Sequence, residues 1–305
     1  MENKTSHFLS SEFNNTAPSD ALFHVIPVPW ENTVSYMGGT ARGPAAIIEA
    51  SSQLEVWDGT GIPGEAGITT LPEIDCKGDR ETVYSKIREA VVGSLSYQVS
   101  SGRPIPVILG GEHSLTLPVV EGVSAVHGAD RIGIIQFDAH ADLRDSLDGN
   151  PWSHASVMRR IVEGLEVPLI QLGTRALSPE ELAFRREHGI RHLDGRELWS
   201  TQTLCLDIPD DFPPLVYISF DVDGLDPSIM PATGTPVPGG IGWYQALSLL
   251  ESIGRQRRII GFDLVELAPL ADLVAPTFLA SELVYRMMGI AMRSAPGGRT
   301  CGAGR

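Results

Sequence analysis

Six short stretches of this chain are mostly apolar, and helical patterns separate them. They cover residues 22–27, 105–109, 132–137, 169–172, 216–220 and 259–264. None alternates apolar with polar residues, so each fits a strand buried on both faces. Helical patterns fall at 44–54, 81–99, 114–126, 153–163, 179–188, 243–255 and 274–292. Strand, helix and strand repeated in this way predict an α/β chain with one mostly parallel sheet and helices on both faces. Such sheets bind ligands just beyond the carboxyl ends of their strands. Polar clusters at those ends are therefore the places to look for chemistry.

No composition shift marks a linker between residues 20 and 294, and no repeat or low-complexity tract interrupts the pattern. The expectation is a single domain over 1–305, with a polar, loosely packed lead-in at 1–20 and a Gly-rich flexible tail at 294–305. Lys and Arg number 23 against 38 Asp and Glu, a net charge of −15. A chain this acidic repels phosphate backbones and anionic membrane surfaces, and attracts a small cation. General nucleic-acid binding and membrane-surface binding are not expected. Cys76, Cys205 and Cys301 are far apart and form no CxxC pair. That excludes a disulfide scaffold and favours a reducing, cytoplasmic setting. The first residues are polar without an apolar core, and no run reaches the length of a membrane span.

Every strongly polar cluster follows one of the apolar runs. Glu112-His113-Ser114 follows VILGG, Asp138-Ala139-His140-Ala141-Asp142 follows IGIIQF, Asp221-Val222-Asp223 follows VYISF, and Glu266 follows IIGFDLV. Alternate side chains of an extended segment share a face, so Asp138, His140 and Asp142 can converge, as can Asp221 and Asp223. With His113 the set holds two imidazoles and four carboxylates at neighbouring strand ends. Packed together they would repel one another without cations. Two divalent ions balance the four carboxylates. Oxygen-rich ligands with some imidazole favour a Mn²⁺-like ion over a thiolate-seeking one. Metal binding would also lower the pKa of a bound water toward neutrality.

On these motifs the chain resembles the ureohydrolase family of arginases, agmatinases and related enzymes. The resemblance rests on GGEHS at 110–114, DAHAD at 138–142, SFDVDGLDPSIMPATGTPVPGG at 219–240, DLVELAP at 263–269 and NTVSYMGGTARGP at 32–44. It implies a three-layer α/β/α fold and two Mn²⁺ ions per subunit. By the family motif, His113, Asp138, Asp142 and Asp221 would hold one ion. Asp138, His140, Asp221 and Asp223 would hold the other, with Asp138 and Asp221 bridging. Glu266 matches the glutamate that clamps the substrate guanidinium, and His154 the histidine proposed to shuttle protons at the mouth of the site. Ala155 follows that histidine where many relatives have Gly.

The tail of the substrate is read from two further segments. Arginases carry an Asn at the position of Arg144 and an amine-binding Asp at that of Ser178. Neither is present here, which speaks against arginine. The stretch DAHADLRDSLDGNPWSH, with Arg144 and Asn150 assigned to the substrate side, is similar to agmatinases. The resemblance therefore implies agmatine hydrolysis to putrescine and urea, as in polyamine biosynthesis. The alternative is a guanidino acid such as 4-guanidinobutyrate or 3-guanidinopropionate, which Arg144 could attract. An arginase or a metal-dependent deacylase is disfavoured, the latter because a neutral amide needs no guanidinium clamp. Relatives form trimers and hexamers, so a homo-oligomer is implied by the resemblance.

Overall fold

The computed structural model describes residues 7–294. Among these residues eight strands form one sheet: β1 (Phe23–Val28), β2 (Ile68–Thr70), β3 (Ile105–Gly110), β4 (Ile132–Phe137), β5 (Leu169–Leu172), β6 (Arg191–Leu193), β7 (Leu215–Asp221) and β8 (Arg258–Val265). Their spatial order is β2-β1-β3-β8-β7-β4-β5-β6, and every neighbouring pair is parallel. The helices are α1 (Gly43–Ser51), α2 (Arg80–Leu95), α3 (Thr116–His127), α4 (Val157–Leu165), α5 (Pro179–Glu187), α6 (Gly195–Thr201), α7 (Trp243–Gln256) and α8 (Ala275–Arg293).

The mostly apolar character of the strands follows from burial on both faces. In β4, Ile132 and Ile134 belong to a core cluster that includes α2, α3 and α4. Ile135 and Phe137 belong to the opposite cluster, with α1, α7 and α8. Successive strand residues thus feed two cores, and the molecule is a three-layer α/β/α structure.

The strand order positions the site. From β3 the chain skips two places to β4 and builds outward to β6; β7 and β8 later fill the gap. The register aligns Leu109 with Leu264, Leu264 with Phe220, and Phe220 with Phe137. The Phe137 and Phe220 rings stack at 4.8 Å, just below the edge where Asp138 and Asp221 follow. Four central strands therefore end level with one another, at a reversal of strand order, where α/β sheets form their crevices.

The sequence reading misses β2, β6 and α6. Each of these strands has only three residues, and β6 is a partly exposed edge. Two helices also begin later than the pattern suggests. His113–Leu115 and His154–Ser156 form 3₁₀ turns ahead of α3 and α4. Within the lead-in, Phe8 and Leu9 depart from the expected loose packing. Both are fully buried, and their N–H groups donate to Thr70 Oγ1 at 3.0 Å and Ser51 Oγ at 2.8 Å. Two adjacent apolar residues suffice to anchor an otherwise polar segment. Residues 1–6 and 295–305, and with them nearly all of the expected tail, lie outside the described residues. Cys76 is a free thiol. No helix among the described residues is long and apolar enough to cross a membrane.

Candidate metal centre

Six residues named from the sequence meet at the carboxyl edge of the four central strands. His113 Nδ1 lies 3.1 Å from Asp138, 2.9 Å from Asp142 and 3.5 Å from Asp221. His140 Nδ1 lies 3.0 Å from Asp223 and 3.6 Å from Asp138. Two overlapping groups result: His113, Asp138 and Asp142 form one, and Asp138, His140 and Asp223 the other, each with its ligand atoms within 4.8 Å. Asp138 belongs to both. Close backbone approach makes this possible, because a Cβ on Gly224 would stand 2.9 Å from the Asp138 nitrogen.

At Asp221 and Asp223 the hydrogen bonds leave one oxygen free to face a cation. Asp221 Oδ1 accepts from Asp223 N at 2.8 Å, and Asp223 Oδ1 from Ala139 N at 3.0 Å. Their second oxygens point at the two imidazoles. His113 Nδ1 is buried and has no hydrogen-bond partner despite three nearby carboxylates. Its Nε2 sits 2.8 Å from Ser219 Oγ, which donates to Asp263 at 2.9 Å. A hydroxyl whose proton points at a carboxylate accepts from Nε2–H, so Nδ1 carries the lone pair. An orphaned buried nitrogen among carboxylates is what a metal ligand looks like without its ion.

Electrostatics lead the same way. Burial, reinforced by neighbouring carboxylates, pushes Asp142 up to about 7 and also raises Asp221 and Asp223. Burial opposes charge on His140 as well, yet Asp138 and Asp223 push it up to about 12. A set this frustrated is relieved by divalent cations, and its oxygen and imidazole donors suit hard to borderline ions.

Glu266 follows β8 in a left-handed conformation, φ 65°, and Asp142 does the same after DAHA, φ 54°. Non-glycine residues rarely adopt this geometry, which concentrates at functional sites. Glu266 Oε1 accepts from His113 N at 2.6 Å, and its side chain lines the same pocket as the ligands. Burial, then the charge of Glu112, raises its pKa well above the usual range. A bound cation would stabilise its ionised form.

His154 lines both that pocket and a second cavity of about 450 Å³. Its N–H donates to Thr33 Oγ1 at 3.0 Å, and its Nδ1 lies 3.2 Å from the same hydroxyl. Thr33 in turn donates from Oγ1 to the buried Glu112 at 2.9 Å. Burial holds the imidazole below its ordinary pKa. Sequence reasoning misses Thr33 and Glu112 as supports, although both stand inside quoted motifs.

Arg144 and Ser178 line the second cavity. Ser178 caps α5: its hydroxyl accepts from Glu181 N, and Glu181 returns a bond to Ser178 N. Asn150 stands apart from them. It lines neither cavity, and its Oδ1 accepts from Trp152 N at 3.0 Å within the 147–152 turn. Arg175, unread in the sequence, donates to carbonyls of Gly173, Asp223, Leu225 and Val237, tying the loop after β5 to the loop bearing Asp223.

Comparison with known proteins leads to the same place. The family model described as "Arginase family" matches residues 21–289. The N(1)-aminopropylagmatine ureohydrolase of Synechocystis sp. is 35% identical over 92% of each chain. The agmatinase of Pyrococcus horikoshii is 31% identical over 90% of this chain and 93% of its own. The agmatine ureohydrolase structure from Thermoplasma volcanium superimposes with a TM-score of 0.77 at 27% identity, covering 93% of this chain and 94% of that one. The metal-type cluster, the sheet that presents it and these matches support one conclusion: the chain belongs to the arginase family and is a hydrolase of the guanidino-compound type.

Proposed function

We propose that the protein is an agmatinase-type ureohydrolase that converts agmatine and water to putrescine and urea with two Mn²⁺ ions per subunit. One observation carries this reading: five of the six metal-type ligands and Glu266 line a single pocket, and the sixth, Asp138, belongs to both ligand groups behind it. His113, Asp138, Asp142 and Asp221 would hold one ion, and Asp138, His140, Asp221 and Asp223 the other. When bound, such a metal pair supplies Lewis acidity and lowers the pKa of a water.

The chain's own residues do the rest. Glu266 receives the guanidinium, pairing two N–H groups with its carboxylate. Water adds to the guanidino carbon, the bond from that carbon to the tail nitrogen breaks, and the nitrogen leaves as an amine. His154, where the two cavities meet, exchanges the proton between the site and the solvent side. The 450 Å³ cavity takes the tail. It has room for agmatine and for the longer amine named for the Synechocystis relative. The net charge of −15 favours a polycationic substrate by steering.

A second reading rests on Arg144. A guanidinium lining the tail cavity favours a carboxylate tail, as in 4-guanidinobutyrate. One catalytic domain spanning the chain, a trimeric or hexameric assembly and a cytoplasmic location complete the proposal. The family match over residues 21–289 supports the first, the family resemblance the second, and the few, widely spaced cysteines the third. The test is urea release with Mn²⁺ from agmatine, N(1)-aminopropylagmatine, arginine, 4-guanidinobutyrate and 3-guanidinopropionate. An amine-tailed guanidine should be turned over best. A preference for arginine, or no urea from any of them, overturns the reading.

A further inference from the structure

One layer beneath the metal-type ligands, a row of polar side chains crosses the apolar sheet. Gln171 on β5 pairs in register with Gln136 on β4, Gln136 with Ser219 on β7, and Ser219 with Asp263 on β8. All four are fully buried. Burying such groups in a sheet interior is costly unless each is hydrogen-bonded. Here the bonds are made, and they lead to the ligands.

Arg185 on α5 donates from Nε to Gln171 Oε1 at 2.7 Å. Gln171 Nε2 donates to Gln136 Oε1 at 2.6 Å and to the Ala141 carbonyl at 2.7 Å. Gln136 Nε2 donates to Asp138 Oδ2 at 2.7 Å. Arg185 closes the chain outward on Asp194 at 2.9 Å. The direction of this relay is fixed at both ends. Arginine has no acceptor, so Gln171 must turn its oxygen to it, and an ionised aspartate has no donor, so Gln136 must turn its nitrogen to Asp138. The two amide dipoles are therefore aligned from a buried cation toward the ligand shared by both groups. Aligned hydrogen bonds polarise one another in a low-dielectric interior. Gln171 also holds Ala141, so the relay grips the Asp138–Asp142 segment at two points.

We propose that Gln136 and Gln171, anchored by Arg185, are positioning residues that preset Asp138 and the loop after it for metal. The inference rests on the metal-centre reading above. Outer partners of metal ligands typically change metal affinity by about 10–100-fold when removed. Gln136→Met keeps length and removes the donor. Gln171→Glu keeps size and the Arg185 contact and removes both N–H bonds.

The test is calorimetric titration of the metal-stripped protein with Mn²⁺, with circular dichroism and thermal unfolding of each metal-free variant. Each folded variant should bind Mn²⁺ about 10–100-fold more weakly than the natural chain, with little change in metal-free unfolding. Asp138→Asn is the control. If the natural chain takes up no Mn²⁺, or Asp138→Asn binds it equally well, the metal-centre reading fails. If Asp138→Asn loses binding while both glutamine variants stay within about threefold of the natural chain, the relay proposal fails. If one variant does not fold, the other decides. If neither folds, the row is a packing element and the proposal is overturned.

Discussion

The metal end of the sheet and the tail cavity beside it are built from different material. His113, Asp138, Asp221 and Glu266 each stand within three residues of a central strand, and neighbouring strands fix their level. Arg144, Leu147 and Ser178 of the cavity stand on connecting segments beyond the strands. Strand ends locked by a ladder hold a ligand to a narrow range of positions. Loops admit many side chains at similar cost. Reaction type should therefore depend on the sheet end, and substrate choice on the loops.

Asp221→Asn tests the sheet end most severely. It replaces a proposed bridging carboxylate with a neutral amide of the same shape. Metal content by elemental analysis should drop, and urea release should fall to background. A variant that keeps the natural metal content would remove Asp221 from the ligand set.

Glu266→Gln separates the clamp from the metal. Its expected cost is roughly 10²–10⁴-fold in kcat/KM, from two charge-assisted bonds of about 1.5–3 kcal/mol each at ~1.4 kcal/mol per tenfold. Metal content should be unchanged. Loss of an ion in this variant would make Glu266 a ligand.

The sheet end was far more legible in the sequence than the cavity, and the reason is physical. A carboxylate or imidazole just after a buried apolar run has few places to go, so DAHAD and DVD declare their positions. Gln136 and Gln171 sit inside such runs, where one polar letter in a strand looks like a blemish until its partners are seen. Asn150 shows the opposite case. It stands in a motif-like stretch, but loop backbone needs polar side chains for its own turns, and there Asn150 is used. Phe8 and Leu9 are two apolar letters in a polar segment, too few to form a pattern, yet they fill the core.

His154 stands on the boundary between the two regions, and its effect should be intermediate. His154→Ala should lower turnover roughly 10²-fold, the lower range for a lost acid–base group, with metal content intact. Burial lowers its pKa, which favours the neutral imidazole at pH 7. Turnover that needs the neutral ring should thus fall at acid pH, and the variant should lose the part of that fall which protonation of the ring causes. A pH–rate profile of the variant that parallels the natural one would take His154 out of proton transfer.

Arg144→Ala probes the loop-built cavity alone, and its expected effect is the smallest and the most informative about substrate. The guanidinium lines the tail cavity, so its influence depends on the sign of the tail. A carboxylate tail would lose a charge-assisted bond of about 1.5–3 kcal/mol, which raises KM for 4-guanidinobutyrate roughly 10–100-fold. An ammonium tail would lose only a repulsion softened by solvent, worth ~1 kcal/mol or less, so KM for agmatine should stay level or fall a few-fold. Turnover number should hold in both cases, because the change lies away from Glu266 and the ligand set. The agmatine reading expects the second pattern. A steep rise in KM for the guanidino acid, in a protein that prefers that acid before substitution, would move the assignment to a guanidino-acid hydrolase and leave the sheet end untouched.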